Sequence, residues 1–318
     1  MSKDKKNNPM DQQMSVSTMT FVSPAEFRQQ HAEEERPDVR PPQGVGDIIA
    51  VASGKGGVGK STVARALALE LVAQGKKVGL VDADVYGPSQ AELFNTGDQL
   101  QYNAAGTKVL PFERDGVFVI SMGALFAPEA HIAWKGPIVT DAILQMFHEV
   151  EWPDIDMLIV DSPPGTGDVV LTMLENIPLT GAVVVTTPQQ IATLDAARGI
   201  RMFHNLNVPV FGIVENMAYL DCPDCGKRHY PFGRNGGQAL ASRMHIRSLG
   251  VLPMLPDINE GGAMSDDYAA AIRDIGKTVL EATEKERHTL NGDGSADDPR
   301  AQAGKLGAPD QMWQKLIS

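Results

Sequence analysis

One short stretch constrains this chain more than any other. Gly54-Lys55-Gly56-Gly57-Val58-Gly59-Lys60-Ser61-Thr62 follows directly on the apolar run Asp47-Ile48-Ile49-Ala50-Val51-Ala52. The pattern is G-x-x-x-x-G-K-[ST], a phosphate-binding loop set between a strand and a helix. Glycines let successive backbone N–H groups turn inward and form an anion-sized nest that side chains would obstruct. Val63, Leu67 and Leu71 recur at helical spacing just beyond it. They predict an amphipathic helix whose positive N-terminus points at the phosphates. In this pattern Lys60 reaches the β- and γ-phosphates and Ser61 ligates Mg²⁺. Strand, loop and helix together specify a nucleotide site.

From Asp47 onward, short apolar runs alternate with segments of helical period. That alternation predicts an α/β fold of the P-loop NTPase type, a mostly parallel twisted sheet with helices on both faces. Strands are expected at 77–82, 117–120, 157–161, 182–187, 210–214 and 249–252, with a hairpin at 107–111 before the second of these. Helices are expected at 137–150, 189–205 and 268–286. Residues 1–46 read as a flexible polar leader, with a short helix around 24–34, and 288–318 as a disordered polar tail. Between them, 47–287 forms one P-loop ATPase domain with a C-x-x-C insertion.

Composition narrows the function classes. With 318 residues, 42% hydrophobic and 21% charged, the chain has the make-up of a globular protein. Its net charge of −12 lacks the basic surface that non-specific nucleic-acid binding requires, so no nucleic-acid partner is expected. No apolar run approaches the ~18 residues of a membrane span, and the basic N-terminus is not followed by a signal-peptide core. A cytoplasmic protein without stable membrane association is expected.

Two strand ends carry carboxylates. Asp82-Ala83-Asp84-Val85-Tyr86-Gly87-Pro88-Ser89 closes the second strand, where ligands of open α/β sheets bind. Asp82 and Asp84 there can hold hydrated Mg²⁺ or orient a water. Asp161 ends an apolar strand in the Walker B manner, placing a carboxylate near Mg²⁺. The Ser162-Pro163-Pro164-Gly165-Thr166-Gly167-Asp168 run after it suits a loop that responds to the γ-phosphate. Lys55 is a second lysine that an ordinary P-loop does not need, available to the developing phosphoryl charge within or across a dimer.

Cys222 and Cys225 are the only cysteines. Two thiols two residues apart supply one edge of a tetrahedral metal site, and His229 nearby makes three ligands, not four. A two-fold dimer giving two thiolates from each subunit completes such a site. A redox dithiol and a pair with no metal role remain alternatives.

These motifs together resemble the Mrp/ApbC family of P-loop ATPases, iron–sulfur cluster carriers in the deviant Walker A group with MinD and ParA. Lys135-Gly136-Pro137, Thr186-Thr187-Pro188-Gln189 and Val214-Glu215-Asn216-Met217 add to the resemblance, which spans about residues 46–268. It implies a homodimer that binds ATP and Mg²⁺, hydrolyses ATP slowly and passes a labile [4Fe–4S] cluster to apo iron–sulfur proteins, alongside cluster-assembly scaffolds. By resemblance, Lys55 reaches the partner subunit's nucleotide, while Lys60, Ser61 and Thr62 hold phosphates and Mg²⁺. Asp84 positions the hydrolytic water, Asp161 completes the magnesium shell and Asn216 contacts adenine. Cys222 and Cys225 bind the cluster between subunits. The leader is too short for the small extra domain of many bacterial carriers, and lacks the N-terminal cysteines of some eukaryotic relatives. Two other outputs compete. One is a MinD/ParA-like positioning ATPase, for which Met312-Trp313-Gln314-Lys315-Leu316-Ile317 offers a short amphipathic end. The other is a metal-insertion or regulatory NTPase.

Overall fold

A computed structural model describes residues 41–85, 87–96, 100–121, 123, 136–222, 224–254 and 265–290. Most of the expected leader and tail, Tyr86, Lys135, Pro223 and the 312–317 segment lie outside the described residues.

The chain opens with β1 (Val45–Ser53), α1 (Lys60–Ala73), β2 (Val78–Asp82) and a single helical turn, α2 (Gln90–Leu93). Four short strands follow: β3 (Gln101–Tyr102), β4 (Val109–Leu110), β5 (Phe112–Arg114) and β6 (Val117–Ser121). Then come α3 (Gly136–Glu149), β7 (Ile155–Asp161), α4 (Asp168–Asn176), β8 (Gly181–Thr186), α5 (Gln190–Asn205) and β9 (Val210–Glu215). The described chain closes with β10 (Leu220–Asp221), β11 (Arg228–His229), α6 (Gly236–Met244), β12 (Ser248–Val251) and α7 (Asp266–Leu290).

Eight strands form one sheet in the order β12-β9-β8-β1-β7-β2-β6-β5. Every pairing is parallel except β5 with β6 at the edge. β1 reads as a continuous apolar run because helices cover both of its faces. Ile48, Ala50 and Ala52 enter one core layer with Ile143 of α3, Met173 of α4, Phe203 of α5 and Leu240 of α6. Ile49 and Val51 enter the opposite layer with Leu67 and Leu71 of α1 and Ile272 and Ile275 of α7. The spaced apolar residues Val63, Leu67 and Leu71 are all fully buried there, as amphipathic spacing dictates.

The register matters more to function than the count of strands. Val51 pairs with Asp161, Asp161 with Asp82, and Asp82 with Ser121. The carboxyl ends of β1, β7, β2 and β6 therefore stand in line, with the P-loop emerging from the first.

Three local readings are corrected. The hairpin expected at 107–111 is instead β5–β6, with Asp115 in the left-handed conformation at its turn. β4 pairs with β3 in a separate two-stranded ribbon. Helices α4 and α6 were not anticipated, nor was the short antiparallel ladder, β10–β11, that flanks the loop carrying the cysteines.

Phe203 is fully buried in the first layer. Phe203→Ala is expected to lower the unfolding free energy by about 3–5 kcal/mol, read from the urea midpoint by tryptophan fluorescence. A loss below about 1 kcal/mol would show that this layer collapses freely around the cavity.

Candidate functional site

The P-loop leaves β1 against the backbone of α5, which allows no side chain at Gly54. A Cβ there would lie 2.1 Å from the carbonyl carbon of Asp195 on α5. Gly59 has a φ of +79°, and a Cβ on it would come within 2.3 Å of Asn216 Nδ2. Two glycines thus hold the loop close to its neighbours, and α1 begins immediately at Lys60. Ser53 O accepts from Gly165 N at 2.9 Å, so the Pro-Pro-Gly loop is tied to the P-loop by backbone. The cleft above measures about 440 Å³ and is lined by the loop glycines, Lys60, Ser61, Thr62, Asp84 and Pro164.

At the floor of the cleft, the Lys60 ammonium forms an ion pair and hydrogen bond with Asp161 Oδ1. Lys60 is 6% exposed and Asp161 is 0% exposed. A carboxylate so buried must be matched by charge and donors. Gln90 Nε2 completes the match, donating to Asp161 Oδ2 at 2.8 Å and to Ser61 O at 2.9 Å.

Asp82 sits beside this pair, equally buried. Its Oδ2 accepts from Ser89 N, Gln90 N and Ser121 Oγ at 2.9, 2.9 and 3.0 Å, and its Oδ1 accepts from Asp84 N at 3.2 Å. Asp82 is therefore the latch of the 83–90 loop, and it places Asp84 at the mouth of the cleft. Asp84 Oδ1 in turn accepts from Gly87 N at 3.2 Å. Burial, reinforced by the Asp161 charge, pushes the Asp82 carboxyl up to about 7, against the donors from Gln90 and Ser121 and the Lys60 charge.

Lys55 is half-buried at the rim, and its ammonium donates to Gln189 Oε1 at 3.3 Å. Asn216 approaches the P-loop from behind. Its Nδ2 donates to Val58 O at 2.9 Å, and its backbone N donates to Thr186 O at 2.8 Å. With Gly59, Thr62, Met217, Met254 and Tyr268 it lines a small cavity beside the loop.

The cysteines lie apart from this cleft, at the tip of the β10–β11 hairpin. Cys222 N donates to Lys227 O at 3.0 Å, and Gly226 N donates to Cys222 O at 2.8 Å, closing a tight knuckle. Cys222 is half-buried and Cys225 exposed. Backbone N–H groups of Cys225, then Asp224, hold the Cys222 thiol below its usual range. The Sγ atoms and a ring nitrogen of His229 all lie within 4.8 Å of one another. Arg228 staples the base of the hairpin. Its guanidinium donates to both oxygens of Asp221 at 2.8 and 3.0 Å and to Asp267 of α7 at 2.9 Å, and stacks 3.6 Å from the Tyr219 ring.

The expected site residues thus fall into two groups. Residues 54–62, Asp84 and Asp161 surround one cleft, Cys222 and Cys225 share the hairpin tip, and Asn216 lies on the chain between them. Sequence reasoning missed Gln90, Ser121 and the Arg228–Asp267 staple. Nothing in a four-residue helix marks Gln90. Arg228 would have stood out as the cross-strand partner of Asp221, had the hairpin been read.

Because its folded pKa is raised, Asp82 contributes stability that is fully present below pH ~4 and lost as the pH rises through about 7. The urea midpoint of the wild type should fall relative to that of Asp82→Asn between pH 5 and 8. Parallel midpoints across that window would mean that Asp82 stays ionised throughout.

Comparison with known proteins sets this geometry in context. The ParA-type family described as the NUBPL iron-transfer P-loop NTPase matches residues 44–285. The chain is 49% identical over 217 residues to an iron-sulfur cluster carrier protein of Salmonella typhimurium, covering 68% of this chain and 59% of that protein. It therefore spans less than two thirds of that relative's length. A solved nucleotide-binding protein of Archaeoglobus fulgidus, in complex with ADP, superposes with a TM-score of 0.60 at 33% identity, over 81% of this chain and 93% of that one. The cell division ATPase MinD of Pyrococcus furiosus superposes with a TM-score of 0.56 at 21% identity, over 74% and 99%. That last likeness is one of fold. Among the described residues no helix is long and apolar enough to cross a membrane.

Proposed function

As the chain belongs to the NUBPL iron-transfer P-loop NTPase family, we propose that it is an ATP-hydrolysing carrier of a labile [4Fe–4S] cluster. The cluster is held between two copies of the chain and delivered to apo iron–sulfur proteins in the cytoplasm, in exchange with cluster-assembly scaffolds. The observation that carries this reading is the hairpin tip. The only two thiols of the chain converge there, too few to enclose a cluster alone, which supports sharing one across a two-fold axis. Accessible thiolates suit a cargo that must leave.

In the nucleotide cleft, the backbone amides of Gly56 to Lys60 cradle the phosphates and Lys60 contacts the β- and γ-oxygens. Ser61 and Asp161 present a hydroxyl and a carboxylate, hard oxygen donors of the type Mg²⁺ takes, and they would hold that ion. Bound there, Mg²⁺ offsets charge on the phosphate oxygens. Gln90 keeps Asp161 oriented when Lys60 turns from it toward phosphate. Asp84 orients the attacking water, its backbone fixed by the Asp82 latch. Lys55 swings from Gln189 to the nucleotide of the partner subunit and stabilises the transferring phosphoryl group. Asn216 contacts adenine through the cavity behind Gly59. Six residues downstream lies Cys222, so the segment that backs the P-loop continues directly into the cluster hairpin. Nucleotide state reaches the thiols along that segment.

Anaerobic reconstitution with iron and sulfide tests the cargo. About four irons per two chains are expected in the wild type, and none in Cys222→Ala/Cys225→Ala, which should still bind ATP. Equal iron in the two proteins would remove the cysteines from the site. Lys55→Ala is expected to retain nucleotide binding but lose about a hundredfold or more of its phosphate release. Unchanged release would make Lys55 a simple rim cation.

A further inference from the structure

We propose that His229 is a third metal ligand, and that the hairpin of a single subunit holds one tetrahedral divalent ion of the Zn²⁺ or Co²⁺ type without dimerisation. The inference rests on reading Cys222 and Cys225 as metal-binding thiolates, and not on the bridging cluster.

The ladder explains how the three residues meet. Leu220 pairs with His229 and Asp221 with Arg228, and the Cys222 N to Lys227 O bond of 3.0 Å carries the same register one step further. Side chains alternate between the faces of a strand, and directly paired residues share a face. Leu220 and His229 therefore lie on one face, and Cys222, two residues beyond Leu220, lies on it too. Asp221 and Arg228 take the opposite face, where they form the bidentate pair at 2.8 and 3.0 Å. The Gly226 N to Cys222 O bond of 2.8 Å closes the knuckle, and Cys225 is brought back over that first face.

The result is a set of three ligand atoms, all within 4.8 Å of one another. In a tetrahedral site with metal–sulfur bonds of about 2.3 Å and metal–nitrogen bonds of about 2.0 Å, neighbouring ligand atoms stand roughly 3.5–3.8 Å apart. Closing the set calls for no more than about an ångström of approach between neighbouring ligand atoms. Two thiolates with one imidazole form a donor set that zinc takes readily, and the fourth position stays open to solvent or to an incoming ligand. His229 is exposed, so nothing in the core fixes its ring here.

The test uses the reduced full-length chain without oxygen, at a concentration where sedimentation shows a monomer. Co²⁺ titration should give one ion per chain, with tetrahedral ligand-field bands and thiolate-to-cobalt charge transfer. His229→Ala should weaken binding by at least the 10–100-fold that loss of an outer-shell partner costs, and shift the ligand-field bands. His229→Cys should restore affinity with a more sulfur-rich spectrum. Unchanged affinity and bands in His229→Ala, one Co²⁺ per two chains, or no binding at all would each overturn the proposal. Iron–sulfide reconstitution of His229→Ala separates the two readings. A normal cluster beside any of those three cobalt results would leave the shared-cluster function standing and remove only the single-subunit ion.

Discussion

A lysine and two aspartates buried at the ends of adjacent strands are the constraint on which the nucleotide cleft depends. Lys60, Asp161 and Asp82 are each less than a tenth exposed, and an unpaired charge at such depth costs several kcal/mol. The fold has to answer every one of them. Lys60 and Gln90 answer Asp161, while the Ser89, Gln90 and Asp84 amides with the Ser121 hydroxyl answer Asp82. These answers come from α1, α2, β6 and the loop after β2, so satisfying two carboxylates fixes four segments at once. Their alignment is itself a product of parallel register, which sets Asp82 directly against Asp161. Burial first, and then the Asp161 charge beside it, hold the Asp82 carboxyl well above the ordinary carboxylate range.

A second dependence runs through Asn216. Its amide ties β9 to the P-loop carbonyl of Val58, and its own N–H is held by Thr186 on β8. The chain then turns at Met217, in the left-handed conformation, and Ala218 N donates to Leu252 O at 3.0 Å before the hairpin begins. No long lever is needed to couple two sites joined by so short a stretch. Asn216 touches the P-loop backbone, and the hairpin hangs from the same segment.

Much of this was legible in the residues. The P-loop announced itself because glycine, lysine and hydroxyl are needed at fixed spacing for one purpose, and the strand ends bearing Asp82 and Asp161 were marked by unbroken apolar runs. What escaped was set by tertiary contact. α6 opens with Gly236-Gly237 behind an Asn235 in the left-handed conformation, a start that propensity reads as a turn. α4 is hidden behind the Pro-Pro-Gly-Thr-Gly run that precedes it. The β10–β11 ladder is only two residue pairs long and rich in charge, so no period-2 apolar signal exists to reveal it. Gln90 gains its role only because β7 brings Asp161 beside it across 71 positions of sequence.

The contrast between the two sites follows from what each must do. The nucleotide cleft is built on strand ends, with its charges buried and both Asp82 oxygens accepting hydrogen bonds, so the carboxylates at its floor are held firmly. The thiol hairpin is held by its knuckle backbone bonds, by exposed ion pairs of Arg228 that water screens, and by guanidinium stacks of Arg228 on Tyr219 and Arg234 on Tyr230. None of its described residues belongs to either apolar core layer. Elements with few buried contacts occupy the low end of a protein's local stabilities. A metal group bound at such a tip orders it, and the energy that binding supplies is shared with the ordering, which limits the net affinity. The hairpin is therefore the loosely anchored neighbour of a firm cleft, joined to it by the short segment that runs from Asn216 to Cys222.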